Sequence, residues 1–263
     1  MSTLAWIILA TAVGGILSAG VAGLFLLVPE RPRAQALPHL VSFATGALLG
    51  AALLGLLPEA VAGVGIERVS NIGVALVAGI GAFFVLEKLL LWRHCHADTC
   101  ETHAPSTAHD GQHRDRATGL LVLVGDGIHN ALDGVLIAAA FLTNTRLGIV
   151  TAVAVMAHEI PQEVGDFAIL LHSGMPRGRA MVLNLASSLT AVLGGLVAYF
   201  ALRQALGLLP YALAIAAASL IYIAVADLIP GLHRRVDIGH SLAQVVLISA
   251  GVALIALMEE HGY

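Results

Sequence analysis

Two neighbouring stretches decide the fold of this chain: GLLVLVGDGIHNALDGVLIAAAF at residues 119–141 and LGIVTAVAVMAHEIPQEVGDFAILL at residues 147–171. Each exceeds the roughly 20 residues that a helix needs to cross a bilayer, and each carries ionisable residues near its middle. A charged side chain at that depth costs roughly 2.5–3.5 kcal/mol on insertion scales. We therefore expect these residues to face one another, or a wet path, and to hold something positive.

The polar residues of the first stretch share one helical face. His129 and Asp133 are four residues apart, Asn130 lies beside them, and Asp126 comes one turn earlier. Residues three and four apart project from the same side of a helix, so this face offers nitrogen and oxygen ligands together. For Asp126 alone, a hydrogen bond between helices remains an equal alternative.

The second stretch repeats the pattern. His158 and Gln162 are four residues apart, as are Glu159 and Glu163, and Asp166 continues that face. If the two faces are opposed, they form a cage. Imidazole with carboxylate suits Zn²⁺ and other first-row divalent ions, whereas an all-oxygen set would suit Mg²⁺ or Ca²⁺.

The composition is that of a membrane protein. Of 263 residues, 58% are hydrophobic and 11% are charged, whereas soluble domains have about a quarter charged. The formal net charge of −4 is distributed by topology, so nucleic-acid binding has no support. The first apolar run has no Lys or Arg before it, and we therefore interpret it as a membrane span and not a cleaved signal peptide.

The apolar runs predict an all-α polytopic fold with eight transmembrane helices in one domain over residues 1–263. Their continuity without alternation favours helices over barrel strands. The spans are predicted at about 4–28, 39–62, 71–92, 118–142, 147–171, 179–202, 208–230 and 241–258.

The basic residues predict the orientation. Ten of the 13 Lys and Arg residues lie in the odd-numbered connections or at the adjoining ends of the spans, and three, Arg68, Arg146 and Arg203, lie in the even-numbered connections. Positive charge stays on the cytoplasmic side. Both termini are therefore expected outside the cytoplasm, in the plasma (inner) membrane.

The one hydrophilic stretch, at about 93–117, is predicted to be a disordered cytoplasmic loop, because it has too few apolar residues to fold alone. Cytosolic thiols stay reduced, so loose metal capture is the favoured use and an inert linker the alternative. The candidate ligands are His94, Cys95, His96, Cys100, His103, His109 and His113.

Two later runs carry polar residues that each allow two readings. Asn184, Ser187 and Ser188 in the sixth run either complete a site or bond to neighbouring helices, and we favour the second reading. Asp227 near the end of the seventh run is either an ion-path residue or a partner of Arg234 and Arg235; both readings stay open.

The motifs HNALDG and HEIPQEVGDF, with SFATGALLG, LLPEA and YIAVADLIP, resemble those of the ZIP (Zrt/Irt-like) family of divalent-metal transporters. The resemblance covers essentially the whole chain. It implies that the fourth and fifth helices form the metal site, that the others surround it in an inverted three-two-three arrangement, and that ions move towards the cytoplasm.

By that resemblance, His129, Asp133, His158 and Glu159 would ligate the primary ion, and Asn130 with Glu159 would lean towards a second, adjacent ion. We expect that second ion to bind weakly, because it meets one shared carboxylate and a neutral amide. Gln162 would complete the first shell as a neutral ligand. The further candidates for the ion path are Asp126, Glu163, Asp166 and Asp227. This chain departs from many relatives at Gln162, Ala51, Gly55 and Gly231.

The expected function is transport of divalent metal, zinc first, with the ion as substrate and no cofactor. The expected partners are that ion, the lipid bilayer and a second copy of the chain in a homodimer. The competing class is an intramembrane zinc hydrolase with an HExxH motif, but position 162 is Gln where the second His would stand. A cation exporter with paired His and Asp is a third reading, and such proteins more often have six spans.

Overall fold

The computed structural model describes residues 1–94, 111–233 and 238–261, and within these ranges it contains eight long helices and no strand. The helices are α1 Thr3–Phe25, α2 Glu30–Val64, α3 Val69–His94, α4 Gly111–Thr143, α5 Thr145–His172, α6 Arg177–Arg203, α7 Leu206–Leu232 and α8 Ile238–His261. The all-α polytopic fold expected from the sequence is therefore confirmed.

Local sequence signals fix several helix ends. Ser2 caps α1 by accepting a hydrogen bond from the backbone N–H of Ala5 at 3.2 Å. Asn144 caps α5 in the same way through the N–H of Leu147 at 2.7 Å. Gly65, with φ of 76°, ends α2 in a conformation that a residue with a Cβ rarely adopts. The short connections at Gly65 and Asn144 reverse the chain, so α2 runs antiparallel to α3 and α4 antiparallel to α5.

Seven of the helices in the described ranges are long and apolar enough to cross a membrane. The remaining one, α5, has 28 residues, and its apolar character is diluted by Glu159, Glu163 and Asp166. This helix lies inside the bundle against α1, α2 and α4. A membrane helix can carry such polar residues when its neighbours cover them.

Two helices contain a π-type segment at matching places. It spans Ala51–Leu56 in α2 and Ile223–Leu228 in α7, and Pro58 or Pro230 follows two residues later. Proline lacks the N–H that would bond to the carbonyl four residues earlier, and its ring crowds that carbonyl. The wider π turn accommodates both effects, and such turns are frequent at functional sites.

Helix packing repeats across the two halves of the chain. Helix α1 packs on α5 as α6 packs on α4, and α2 packs on α8 as α7 packs on α3. Each helix of the first three thus corresponds to the one five places later, which runs in the opposite direction. The arrangement is an inverted three-two-three bundle with α4 and α5 at its centre.

Glycines bring some of these helices into close contact. A Cβ at Gly134 of α4 would overlap the carbonyl oxygen of Ala191 in α6, and one at Gly194 of α6 would overlap that of Ala131 in α4. Small residues of this kind let membrane helices approach closely. The tight seam fixes the depth and rotation of α4, and hence of its polar face.

Two boundaries differ from the sequence-based expectation. Helix α2 begins at Glu30 and not near residue 39, because Pro38 is accommodated inside it. Helix α4 begins at Gly111, so residues 111–117 of the predicted loop are helical. Residues 95–110, which carry most of the predicted loop ligands, lie outside the described ranges.

Candidate metal site

The polar face of α4 points into the bundle. Asp126, Asn130 and Asp133 are 5%, 2% and 1% exposed, and the side chain of His129 is 25% exposed. The three- and four-residue spacing of these positions aligns them, and the close contact with α6 turns that face towards α5. The structure therefore places all four side chains where the sequence pattern predicts them.

The matching face of α5 meets it. His158, Glu159 and Glu163 are buried at 1%, 4% and 0% exposure, while Gln162 and Asp166 are half-buried. Pro161 lies inside the helix between these residues, and α5 continues through it to His172. Two helices thus present imidazole and carboxylate groups to each other in the interior of the bundle.

Four of these residues, His129, Asp133, His158 and Glu159, form what we call the four-residue cluster: one ligand atom from each lies within 4.8 Å of those of the others. Nε2 of His129 lies 3.2 Å from Nε2 of His158. Oε1 of Glu159 lies 3.5 Å from Nε2 of each histidine. Oδ2 of Asp133 lies 3.3 Å from Nε2 of His158 and 3.8 Å from Nε2 of His129.

These separations fit a tetrahedral metal ion. With metal–ligand bonds of about 2.0–2.2 Å, the ligand atoms of a tetrahedral zinc site are about 3.3–3.6 Å apart. The five distances above, from 3.2 to 3.8 Å, differ from that range by only a few tenths of an ångström. The cluster therefore has the size, the number of donors and the donor chemistry of a zinc site.

The carboxylate oxygens of the cluster have few alternative partners. Both oxygens of Asp133 and both oxygens of Glu159 are buried without a hydrogen bond among the described residues. Leaving a buried polar atom without a partner costs about 1–3 kcal/mol, and more for a charged group. A cation bound between these oxygens and the imidazoles would remove that cost.

A second group, which we call the carboxylate cluster, adjoins the first. It consists of Asp126, Glu159 and Glu163, again with one oxygen from each within 4.8 Å of the others. Glu159 belongs to both clusters. Oδ2 of Asp126 is also buried without a hydrogen-bond partner among the described residues.

Neutral side chains hold the carboxylate cluster in position. Asn130 donates to Oδ1 of Asp126 at 2.9 Å, and Gln162 donates to the same oxygen at 3.3 Å. From α6, Asn184 and Ser188 donate to the two oxygens of Glu163. Asn130 and Gln162, both expected as ligands, thus lie beside this cluster and orient Asp126.

Asn184 and Ser188 follow the favoured reading of the sequence. We expected them to bond to neighbouring helices, and they do so at a carboxylate next to the candidate ligands. Their spacing of four residues is a signal that could have indicated this, since it places both on the face of α6 that meets Glu163.

A cavity of ≈ 100 Å³ leads away from His129 between α3, α4 and α7. Asp227, one of the predicted path residues, lines it, and so does Glu87 of α3, which the sequence analysis did not single out. Tyr222 of α7 donates a hydrogen bond to Glu87 within the same lining. The four-residue cluster therefore borders a small cavity on the side of His129, whose mostly apolar lining includes the two carboxyl groups of Glu87 and Asp227.

The predicted ligands of the loop lie wholly or partly outside the described part of the structure. His94 ends α3 and His113 lies in the first turn of α4, but their side chains are outside the described part of the structure. Cys95, His96, Cys100, His103 and His109 fall within residues 95–110. Metal capture by the loop stays a prediction.

Comparison with known proteins finds similar chains in one family. The profile described as ZIP zinc transporter matches residues 93–259. Zinc transporter ZIP13 of Pongo abelii is 33% identical over 272 residues, covering 92% of this chain and 76% of that protein. ZIP10 of Danio rerio is 37% identical over 151 residues, and ZIP4 of Mus musculus is 42% identical over 119 residues.

The extent of these matches differs. The ZIP10 and ZIP4 alignments cover 54% and 44% of this chain but only 18% of the length of either relative. The ZIP13 match spans most of both proteins, and the family profile includes α4, α5 and the whole polar site. The chain belongs to the ZIP zinc transporter family, a family of multi-pass membrane transporters and not of enzymes.

Proposed function

We propose that this protein carries divalent transition-metal ions, zinc first among them, across the membrane into the cytoplasm by way of the four-residue cluster. The observation that carries the proposal is that five distances between ligand atoms of the four-residue cluster are close to the ligand–ligand distances of a tetrahedral zinc site. The family supports it, because the relatives described above are named zinc transporters.

Donor chemistry favours zinc over hard cations at the four-residue cluster. Mg²⁺ and Ca²⁺ take six or more ligands, nearly all oxygen, whereas this cluster offers two imidazoles and two carboxylates. Two negative charges also neutralise one divalent ion, which keeps the charge of the occupied site low inside the membrane. The same chemistry would admit Fe²⁺, Mn²⁺ or Cd²⁺, so the order of preference has to be measured.

Inward movement rests on the orientation inferred from the basic residues. The cavity beside His129 lies towards the ends of α3 and α7 that precede the connections rich in Lys and Arg. In this orientation the cavity opens towards the cytoplasm. An ion released from the four-residue cluster would therefore pass Glu87 and Asp227.

A liposome assay tests the function. Purified protein is reconstituted with a zinc-sensitive dye inside, and Zn²⁺ is added outside. We expect a rise in dye signal that is lost in His158→Ala and kept in Thr151→Val, a control at a buried position of the same helix outside the cluster. Equal uptake by His158→Ala and by unmodified protein, at equal protein density, would contradict the proposal.

We infer further that a second divalent ion binds at the carboxylate cluster. From the sequence, we expected this position to offer only the shared carboxylate of Glu159 and the neutral amide of Asn130. We therefore expected it to bind an ion weakly. The structure supplies two additional carboxylates, Asp126 and Glu163, so the site carries more negative charge than expected. Being all oxygen, it should favour harder ions than the first site does.

Calorimetric titration tests the second site. Mn²⁺, a harder ion than Zn²⁺, is titrated into protein already saturated with one equivalent of Zn²⁺. We expect Glu163→Gln to weaken the second event and Gln162→Glu to strengthen it, because these changes remove and add a carboxylate there. An unchanged second event in both variants would place the second ion elsewhere.

A further inference from the structure

A charged contact ties the first turn of α5 to the end of α8. Nε of Arg146 lies 3.3 Å from Oε2 of Glu259, and Nη1 of Arg146 donates to the backbone carbonyl of the same residue at 2.7 Å. The side chain of Arg146 is 43% exposed and that of Glu259 is 16% exposed. Because the guanidinium contacts a carboxylate and a carbonyl together, its orientation is more restricted than in a simple surface pair.

A second contact ties the same turn to α2. Asn144, the cap of α5, donates from Nδ2 to Oε1 of Glu59 at 3.2 Å while its Oδ1 accepts from Leu147. Helices α2 and α8 pack against each other along their length. The turn between α4 and α5 is therefore joined by two polar contacts to one pair of helices that do not belong to the site.

The layer below these contacts is closely packed. A Cβ at Gly55 of α2 would lie 2.9 Å from Oε1 of Glu259 and 3.1 Å from Cδ1 of Leu147, so the absence of a side chain there makes room for both. Ala51, Leu56 and Leu147 are at most 2% exposed. Along α5, Leu147, Val150 and Ala154 lie between Arg146 and His158 and are at most 2% exposed, so buried apolar side chains separate Arg146 from the four-residue cluster.

The two ends of the bundle differ as a result. Towards the ends of α3 and α7, a cavity reaches His129. Towards the α4–α5 turn, the packed layer covers the cluster and Arg146 lies above that layer. A transporter that binds its ion in the middle of the membrane must open each end in turn, by moving one group of helices against another.

We propose that Arg146 and Glu259, assisted by Asn144 and Glu59, form a latch that holds the α4–α5 turn against α2 and α8, and that this latch opens when the cluster is exposed to that end. The inference rests on the proposed transport function. The distribution of basic residues assigns this end to the extracytoplasmic side, which is the entry side for import.

Cysteine accessibility tests the latch. Cys95 and Cys100 are replaced by Ser, and Ala51→Cys, a small change below the latch, serves as the reporter. The rate at which an impermeant maleimide labels this cysteine is measured in intact cells and in inverted vesicles. In one of these two preparations, the end of the bundle that carries the α4–α5 turn faces the reagent. Arg146→Ala and Glu259→Gln should each raise that rate about three- to tenfold, the range for a partly exposed charge-assisted contact.

Two further variants make the test specific. Arg146→Glu combined with Glu259→Arg should return the rate towards that of the reporter protein, because the pair is restored with its charges exchanged. Arg203→Ala removes a guanidinium at the same end that donates a hydrogen bond to Tyr199 of its own helix at 3.2 Å, and this change should leave the rate unchanged. Equal rates in the reporter protein, Arg146→Ala and Glu259→Gln, in both preparations, would overturn the latch.

Zinc uptake by the same cells separates the two proposals. If the reporter protein takes up no zinc, the proposed function fails, while its labelling rates still report whether the contact closes this end. If uptake is present and the labelling rates do not respond to the latch variants, only the latch is refuted.

Discussion

Asp133→Asn is the most direct test of the four-residue cluster. The substitution keeps the shape of the side chain and one carbonyl-type oxygen, but it removes one of the two negative charges that face the histidines. Asp133 is 1% exposed, and neither of its oxygens has a hydrogen bond among the described residues. Its loss should therefore affect ion binding much more than folding.

The magnitude follows from the burial of the group. Removing one partner of a buried charge pair costs about 3–5 kcal/mol. At 1.4 kcal/mol per factor of ten, this is a loss of about two to four orders of magnitude in zinc affinity. The thermal midpoint in the absence of metal should not fall, because Asn occupies the same space and removes an unpaired buried charge.

Competition with a chelating dye on purified protein measures this affinity. The loop histidines are present in both proteins, so the difference between them reports the buried site. Thr151→Val, at a buried position of α5 outside the cluster, should bind zinc as the unmodified protein does. If Asp133→Asn binds zinc within tenfold of the unmodified protein, the charge-based reasoning is refuted and Asp133 is not a ligand of the tight site.

Three further predictions concern packing, topology and the loop. Gly134→Ala should lower the free energy of unfolding by about 1–3 kcal/mol, because the added methyl group overlaps a carbonyl of α6. Gly73→Ala should leave that free energy unchanged, because Gly73 has open space around it. Thermal unfolding in detergent measures both variants. A cysteine added after Tyr263 should react with an impermeant maleimide in intact cells and Cys95 should not; the reverse pattern would invert the orientation. Deleting residues 96–113 should keep substantial uptake in the liposome assay but change its dependence on cytoplasmic metal; complete loss of transport in a folded variant would place the loop on the ion path.

The sequence predicted the eight helices and the members of the four-residue cluster. Both rest on local regularities: the length of an apolar run, and the spacing that puts His129 with Asp133 and His158 with Glu159 on the same faces. Since only a few arrangements bury such faces, the pairing of α4 with α5 also followed. The inverted bundle came from the family resemblance, and the matching contacts of the two halves agree with it.

Features that depend on contacts between distant segments could not be predicted in this way. Helical spacing shows which residues share a face but not which neighbour covers that face. The contact of Glu59 with Asn144, and of Arg146 with Glu259, joins positions more than 80 residues apart in the chain. The π turns of α2 and α7 likewise could not be predicted from Pro58 and Pro230 alone, because many membrane helices accommodate proline by a simple kink.

The sharing of Glu159 between the two clusters has a thermodynamic consequence. One carboxylate cannot give its full charge to two cations at once, and the cations repel each other. If a second ion binds at the carboxylate cluster as we propose, its occupancy lowers the affinity of the four-residue cluster, and by reciprocity the first ion lowers the affinity of the second to the same degree. In the proposed transport, such negative cooperativity would let the site capture scarce metal tightly and still release it, since an arriving ion weakens the hold on the one already bound.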